Sequence, residues 1–477
     1  MPSAPPGVPA QRIRRASRTA FALHASVLIA LLAASSAPTP LYSLYQDQWE
    51  LSSLTVTVVF SAYALALLAS LLTTGALSDH VGRRPVLAGT LTVQALSMVL
   101  FTQADGPGLL ITARILQGLA TGAATTAAGA ALLDLEDPAR PGRSAVTNSI
   151  APVAGMATGV LAATLLVRFA PAPTLTVYLL LAALFALQAI AVLRTEETAR
   201  SRPGAWRSLR PHITVPPPAR RALLQAGTGI AAVWALGGFY SSLGPALVRL
   251  VAPTAPQAAG GMLFFTVTAA AALTVWALRG TAPASAAMAG CCAVLPAAAL
   301  TLTGIHLGNL PAVFGGAVLA GTAFGAVSQG AVRMMLGPVS EKDRAATLAT
   351  YYVLSYLSMS LPAVAAGTAT ELCGLRTTTH AYALTTALLA VAATVALIPA
   401  LRTTAHTGAD ADSANTPALA TAGKTRTHQP LPRTASGEWP HLEPPLHETV
   451  EEWNCARWSA SALHGRDSRR DGVLNNL

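Results

Sequence analysis

Charged residues are scarce in this chain of 477 residues. Only 11% are Asp, Glu, Lys or Arg, whereas 52% are apolar. A soluble domain carries about 25% charged residues, and so few charges cannot cover the surface of a water-soluble protein of this size. This excludes an ordinary cytosolic enzyme, and the apolar content excludes a chain that is disordered throughout. With a mean hydropathy of +0.49, the composition indicates a membrane protein.

Cysteine is equally rare, and its spacing points to no chemistry. The four cysteines are Cys291, Cys292, Cys373 and Cys455. Two are adjacent in an apolar run and two are isolated, which fits neither a disulfide framework nor a metal site. We expect the membrane-domain cysteines to be small apolar fillers, and we expect neither a metal ion nor a cofactor.

Long apolar runs dominate the first 401 residues. One membrane helix needs about 20 apolar residues, and hydropathy predicts twelve such spans. They are 20–40, 53–78, 85–103, 108–133, 144–168, 173–193, 222–248, 258–278, 284–304, 311–335, 345–370 and 379–401. Most are rich in small residues, which let membrane helices pack closely. The sequence therefore predicts an all-α integral membrane fold with twelve transmembrane helices.

The connections divide the chain into five segments. An arginine-rich linker with three consecutive prolines follows the sixth span, and the composition turns polar near residue 402. A polar sequence rich in Pro, Ser and Gly is typical of disorder. We predict an N-terminal cytoplasmic segment (1–19) and a first six-helix half (20–193). A cytoplasmic linker (194–221), a second six-helix half (222–401) and a disordered cytoplasmic tail (402–477) follow.

Basic residues lie mostly on one side of the predicted spans. Before the tail, the segments on the side of the N-terminus hold 19 Lys and Arg residues, and the segments on the other side hold three. By the positive-inside rule both termini are cytoplasmic, in the plasma (inner) membrane. The net charge of +10 is thus a topology signal. We expect contact with the lipid bilayer and no nucleic-acid partner.

Acidic residues are absent from the middle of every predicted span. Ionisable residues inside a membrane are functional candidates by default, and the clear one here is Arg114. His24 is a weaker candidate, and Asp47 lies at the outer end of the first span. Because an exporter of organic cations is expected to place a carboxylate in its cavity, neutral, amphipathic or anionic compounds fit this chain better.

The loop after the second span carries a long motif, G-x-L-x-D-x-x-G-R-R-P. Glycine permits close approach and a sharp turn, and proline suits the first turn of a helix. The motif residues are Gly75, Asp79, Gly82, Arg83, Arg84 and Pro85. This pattern, between spans two and three, resembles the signature loop of the major facilitator superfamily (MFS) of secondary transporters.

The fourth and fifth spans carry further likenesses to that superfamily. Arg114, Gln117 and Gly118 form an R-x-x-Q-G pattern that resembles its fourth-helix motif, in which the arginine is associated with proton transfer. In the fifth span Pro152, Gly155 and Gly159 keep the glycine spacing of its antiporter motif. Val160 stands where that motif has proline, so the support for antiport is weak.

The resemblance covers residues 18–401 and implies a fold and a mechanism. The fold is two pseudo-symmetric six-helix halves that rock around a midplane cavity. The resemblance also implies an inner gate, in which Asp79 faces the eleventh helix near Ala345 and Ala346, and Arg83 pairs with Asp134. Candidates for the cavity wall, by resemblance alone, are Tyr42, Trp234, Phe239, Tyr240, Gln329, Tyr352 and Tyr356.

Together these features predict a proton-linked transporter that exports small organic compounds, similar to the drug-efflux branch. It is expected to be a monomer and not an enzyme, because the spans hold no nucleophile–base pair and no phosphate-binding glycine loop. One alternative is an uptake carrier for a sugar or organic acid. The other is a non-transporting membrane sensor or scaffold that uses its tail to hold a protein.

Overall fold

The computed structural model describes residues 10–199, 201–210 and 215–414. Every regular element in these ranges is helical. The greater part of the predicted tail, 415–477, lies outside the described residues.

Twelve long helices, named α1 to α12, make up the fold. The first ten are Ala10–Ser36, Ser53–Thr74, Arg83–Thr102, Pro107–Asp134, Arg143–Phe169, Pro173–Leu193, Pro217–Val251, Ala258–Ala277, Pro283–Leu307 and Leu310–Leu336. The last element, Glu341–Ala414, is broken at Gly374 with φ 81° and ψ 156°, which separates α11 (341–373) from α12 (375–414).

Eleven described helical segments are long and apolar enough to cross a membrane. The last of them contains 60 residues, which at about 1.5 Å per residue is far longer than one crossing of about 30 Å. The break at Gly374 therefore divides it into two spans. The all-α membrane fold predicted from the sequence is confirmed.

The helix of the first predicted span contains a break, although the candidate membrane span as a whole covers Arg18–Trp49. α1 stops at Ser36 and is followed by a 3₁₀ turn at Thr39–Leu41 and a helix at Tyr42–Trp49. Proline has no N–H group to donate, and Pro38 and Pro40 both fall in this stretch. The break falls inside the predicted span 20–40, because hydropathy responds to apolar content and does not detect a missing backbone donor.

The two halves repeat one packing pattern. In the first half α1, α2 and α3 all pack on α4, and in the second half α7, α8 and α9 all pack on α10. Each contact therefore recurs six helices further along the chain. Between the halves, α5 packs on α8, and Ser61 of α2 donates to the carbonyl of Ser360 in α11.

Glycines make the closest helix contacts in both halves. A Cβ atom on Gly118 of α4 would lie 2.4 Å from the backbone carbonyl oxygen of Tyr63 in α2. A Cβ atom on Gly321 of α10 would lie 2.2 Å from the backbone carbonyl oxygen of Val267 in α8. Between the halves, a Cβ on Gly261 would lie 2.1 Å from Thr164 Oγ1. Any side chain at these positions would push two helices apart.

An equally close contact, between α5 and α1, gives a test of the packing. A Cβ on Gly159 would lie 2.2 Å from the Ala33 oxygen, whereas Gly89 has no atom within 4 Å. We expect Gly159→Ala to destabilise the protein by about 1–3 kcal/mol through overpacking. Gly89→Ala should leave stability unchanged or raise it by up to about 1 kcal/mol. Thermal unfolding of both variants in detergent measures the difference, and equal midpoints would contradict the α1–α5 contact.

Candidate functional site

The loop between α2 and α3 is built around Arg83. The loop forms a short helix at Leu77–Val81, and Gly82 has a φ of 114°, which favours glycine. Arg83 forms an ion pair with Asp79, donates to Ser78 Oγ at 2.7 Å, and donates from Nε to Asp134 Oδ2 at 3.2 Å. It thereby joins the loop to the end of α4.

Asp79 does not meet α11 in this structure. Within the described residues its ion pair is with Arg83, and no hydrogen bond joins it to Ala345 or Ala346. The contact near Ala345 and Ala346 that the resemblance implies is not formed in this structure, and its role in a gate stays a prediction. Gly75 follows the last residue of α2, and Pro85 is the third residue of α3.

Glu197, from the linker between the halves, caps α3. Its carboxylate accepts hydrogen bonds from the amides of Arg83 at 2.8 Å and Arg84 at 3.0 Å. These are unpaired donors at a helix start, where a negative charge is favourable. Thr198 also donates to Asp134 at 3.0 Å, and the Arg202 amide donates to the His80 carbonyl at 2.9 Å. The linker is thus fastened to the loop.

Sequence reasoning missed this role of Glu197. The available signal was a pair of acids, Glu196 and Glu197, in a linker that is otherwise strongly basic. An acid that only balanced local arginines would look the same in the sequence, so the pattern alone does not identify the cap.

A second carboxylate caps α5 on the same side of the membrane. Glu136 accepts from the Ser144 hydroxyl and from the Gly142 amide. These hydrogen bonds, that of Ser144 first, lower the pKa of Glu136 below its usual value. A lowered pKa means that the stabilisation is present above the usual pKa and is lost as the pH falls through the lowered one.

Arg114 is fully buried in the first half. Its Nη1 donates to the Ser35 carbonyl at 3.1 Å and to Gln117 Oε1 at 2.9 Å. Its Nη2 donates to the Tyr42 hydroxyl at 2.5 Å. Tyr42 is 2% exposed, so it holds the arginine in the interior and does not line an open cavity as the resemblance implied.

The break at the end of α1 provides the acceptors for this cluster. In a helix the Ala34 carbonyl would accept from residue 38, but residue 38 is proline and has no N–H group. Gln117 Nε2 donates to that carbonyl at 2.9 Å instead. Arg114 and Gln117 together satisfy the carbonyls at the broken end of α1 and hold it against α4.

The charge of Arg114 is not neutralised by an acid. Its hydrogen-bond acceptors are a carbonyl, an amide and a hydroxyl, and its guanidinium carbon lies 5.8 Å and 5.1 Å from the ring centres of Tyr42 and Tyr63. Within the described residues no Asp or Glu is buried. Arg114 Nε has no hydrogen-bond partner. A buried cation in this state favours an approaching anion.

An aromatic cluster, here the aromatic band, lies where the halves meet. The Trp234 ring centre lies 5.2 Å from Phe324, 6.3 Å from Tyr351 and 5.3 Å from Tyr356, and Tyr352 lies 6.2 Å from Tyr356. The band is these five residues of α7, α10 and α11.

The aromatic band reaches the first half through Tyr356. Tyr356 packs on a cluster formed by Tyr63, Ala64 and Leu67 of α2, and Tyr63 also faces Arg114. One tyrosine ring therefore separates the buried cation from the band. Trp234, Tyr352 and Tyr356 are half-buried, which leaves part of each ring accessible.

Phe239 and Tyr240 lie elsewhere. The Tyr240 and Thr301 hydroxyls are hydrogen-bonded at 2.8 Å, the Phe239 ring lies 4.8 Å from Tyr382, and both residues line a cavity of about 20 Å³ between α7, α9 and α12. Residues five apart on a helix point about 140° apart, so Phe239 cannot share the direction of Trp234. Phe239 and Tyr240 therefore lie apart from the Trp234 cluster, and their place in a central cavity stays a prediction.

The remaining predicted residues occupy separate places. Gln329 is half-buried on α10, and its Oε1 has no hydrogen-bond partner. His24 is 3% exposed, with Nδ1 at 2.7 Å from the Ala20 carbonyl. Pro152 lies inside α5, and a Cβ on Gly155 would lie 2.5 Å from the Ile29 oxygen of α1.

Asp47 lies at the membrane face opposite the linker, here called the opposite face. It pairs with Arg249 of α7 at 3.4 Å and accepts from Gln257 at 3.2 Å, and Arg249 also donates to Gln46 at 2.6 Å. At the same face Glu371 accepts from the Leu54 amide at 3.3 Å. These hydrogen bonds join the halves, so Asp47 is an exposed contact between them and not a buried acid.

The described residues contain no group of three or more His, Cys, Asp and Glu side chains arranged to hold a metal ion. The site is therefore the buried arginine cluster, the aromatic band and the two sets of charged contacts at the membrane faces.

Comparison with known proteins identifies the family. The sequence profile of the Major Facilitator Superfamily matches residues 24–277, which is more than half of the chain, so the chain belongs to that superfamily. The curated proteins contain no match. The resemblance stated from the motifs is confirmed at the level of the superfamily, which is a family of transporters.

Solved structures show the same fold at low sequence identity. The nucleoside transporter NupG is 14% identical, with 80% of this chain and 99% of that chain covered and a TM-score of 0.60. A bacterial homolog of the human lysosomal transporter Spinster, inward-facing and unoccupied, is 14% identical, with 80% and 97% covered and a TM-score of 0.64. The human organic anion transporter MFSD10 is 18% identical, with 83% and 100% covered and a TM-score of 0.56.

The linker contact gives a test at the α2–α3 loop. Glu197→Gln keeps the shape but places an NH₂ group against a backbone donor, so we expect the α3 cap to weaken by about 0.5–2 kcal/mol. Hydrogen–deuterium exchange at the Arg83 and Arg84 amides should then speed up by roughly 2- to 30-fold. Glu196→Gln, at the exposed neighbouring acid, should leave exchange unchanged. Equal exchange in both variants would contradict the cap.

Proposed function

We propose that this protein is a proton-linked secondary active transporter that exports small organic compounds by alternating access. Its substrates are neutral, amphipathic or anionic. The observation that carries this proposal is a fully buried arginine without an acidic partner, one ring away from an aromatic band in which several rings are only partly buried. Membership of a transporter superfamily supports secondary transport in general.

The distribution of basic residues supports an orientation. The linker and the α2–α3 loop lie on the side that is rich in Lys and Arg, so we assign that side to the cytoplasm of a plasma (inner) membrane. Both termini are then cytoplasmic, and the opposite face is external. The single chain provides both halves of the cavity, and we propose that it acts as a monomer.

The substrate class follows from the walls of the site. Aromatic rings offer flat apolar faces with a polar edge, which suits an amphipathic organic molecule. An anionic group on that molecule would be attracted by Arg114, whereas an organic cation would be repelled and would find no buried carboxylate. Among the alternatives, a sugar carrier is disfavoured because the band contains no Asn, Gln, Asp, Glu or Arg side chain.

The charged contacts support a cycle between two states. The hydrogen bonds of Asp47 and Arg249 hold the halves together at the external face, which corresponds to an inward-facing state. In the outward-facing state we propose that Asp79 turns to the amide groups at the start of α11, where the helix dipole favours an anion. Protonation of Asp47 would remove its charge and release the external contact, which couples the cycle to protons.

A transport assay tests the substrate class and the coupling together. Cells with and without the protein are loaded with size-matched anionic, neutral and cationic aromatic compounds, and their export is followed with and without a proton ionophore. We expect export of the anionic and neutral compounds, and its loss when the ionophore is present. Export that persists after the gradient collapses would contradict proton coupling, a preference for the cations would contradict the substrate class, and inward transport would favour the uptake carrier.

Variants of Arg114 separate its two roles. Arg114→Gln removes the charge but keeps hydrogen-bond donors, so we expect export of the anionic compound to fall at least about tenfold, with a smaller effect on the neutral one. Arg114→Lys should retain part of the anion transport. A uniform loss for all compounds would indicate a purely structural arginine.

Asp47 gives the matching test for coupling. Asp47→Asn removes the titratable group, and we expect export to become less dependent on the proton gradient. Asp105→Asn changes an exposed acid in the α3–α4 connection and is the control.

Deletion of 415–477 leaves α12 whole and should preserve transport, whereas a scaffold would lose its output.

A further inference from the structure

Two histidines of the second half form a pair that the transport site does not use. His306 is the penultimate residue of α9, and His380 lies near the start of α12. Their Nε2 atoms are 2.8 Å apart, and their ring centres are 4.8 Å apart with planes at 63°. His306 is exposed and His380 is half-exposed, so the pair is accessible at the opposite face.

Hydrogen bonding orients the two rings. His380 Nδ1 lies 2.7 Å from the Arg376 carbonyl, and a carbonyl can only accept, so Nδ1 carries the proton. In neutral His380 the Nε2 atom is then a bare acceptor, and the hydrogen between the rings belongs to His306 Nε2. A ring held through Nδ1–H by a carbonyl, with its Nε2 lone pair free, is the usual arrangement of a metal-binding histidine.

We propose that His306 and His380 form a two-histidine binding site for a divalent transition metal such as Cu²⁺, Ni²⁺ or Zn²⁺. Imidazole nitrogen suits these ions. Two ligands at about 2.0–2.1 Å from a tetrahedral metal are about 3.3 Å apart, so the Nε2 atoms need to separate by about 0.5 Å. His306 lies at an exposed helix end before Gly308, where such a movement meets little resistance.

Metal and hydrogen compete for the same position in this site. When the metal binds, the hydrogen of His306 moves from Nε2 to Nδ1. The Nε2 lone pairs of His306 and His380 then both bind the ion. Water molecules complete its coordination. The charged residue Arg376 lies one turn before His380 and provides the carbonyl that holds its Nδ1.

A metal titration of the purified full-length protein in detergent, prepared with an affinity tag that contains no histidine, tests the proposal. Histidines also occur at residues 212, 406, 428, 441, 447 and 464, so the readout is the difference between variants. We expect His306→Ala and His380→Ala each to lose one equivalent of bound Zn²⁺, or to weaken that site at least about tenfold. His306→Cys should restore Zn²⁺ binding because thiolate is also a zinc ligand.

His80→Ala is the matched control. His80 is half-exposed and has the same type of contact between Nδ1 and a carbonyl, to Ala76 at 3.1 Å, without a second imidazole against it in the described residues. Its substitution should leave metal binding unchanged. In addition, the electron paramagnetic resonance spectrum of bound Cu²⁺ should show two equatorial nitrogens in the wild type and one in each single variant. If both alanine variants keep the stoichiometry, affinity and spectrum of the wild type, the proposal is wrong.

Discussion

The contact on which the first half depends is that of Arg114 and Gln117 with the broken end of α1. A charge inside a membrane needs acceptors within reach, and a proline in a helix leaves a carbonyl that needs a donor. Each feature is costly alone, and together they satisfy one another through the Ala34 and Ser35 carbonyls. Gly118, one residue after Gln117, brings α2 close enough for the Tyr63 ring to cover the guanidinium. The motif R-x-x-Q-G is thus one packing unit.

Small residues give the two halves their separate rigidity. Gly118 of α4 packs against α2, and Gly321 of α10 packs against α8. The two contacts are equivalent and lie six helices apart, so each half is tightly packed by the same means. The halves meet in more than one way: α5 packs closely on α8 through Gly261 and Thr164, and the opposite face carries hydrogen bonds between exposed charged and polar groups, which are worth little individually. The contacts at that face are the ones that can break while each half stays packed.

The sequence was sufficient for the parts of the structure that repeat a pattern. Long apolar runs predicted the membrane helices, and the spacing of the motifs predicted the superfamily. The directions of side chains within one helix were predicted less well. Trp234, Phe239 and Tyr240 are close in sequence, but they point in different directions on the helix, and only Trp234 lies in the aromatic band. The helical angle between them could have been calculated beforehand. Glu197 could not have been found in this way, because its target lies more than 100 residues earlier and no local pattern marks the contact.

The attachment of the linker to the α2–α3 loop shortens the part of the linker that can move between the halves. In the sequence the linker runs from the end of α6 at Leu193 to the start of α7 at Pro217. Glu197 and Arg202 are each hydrogen-bonded to the α2–α3 loop, and these bonds hold the first part of the linker on that loop. The short helix Ala205–Ser208 also packs against the loop helix Leu77–Val81. The chain therefore acts as a shortened tether that begins at the gate itself, so that any displacement of the second half pulls on the loop that the proposed cycle must open and close.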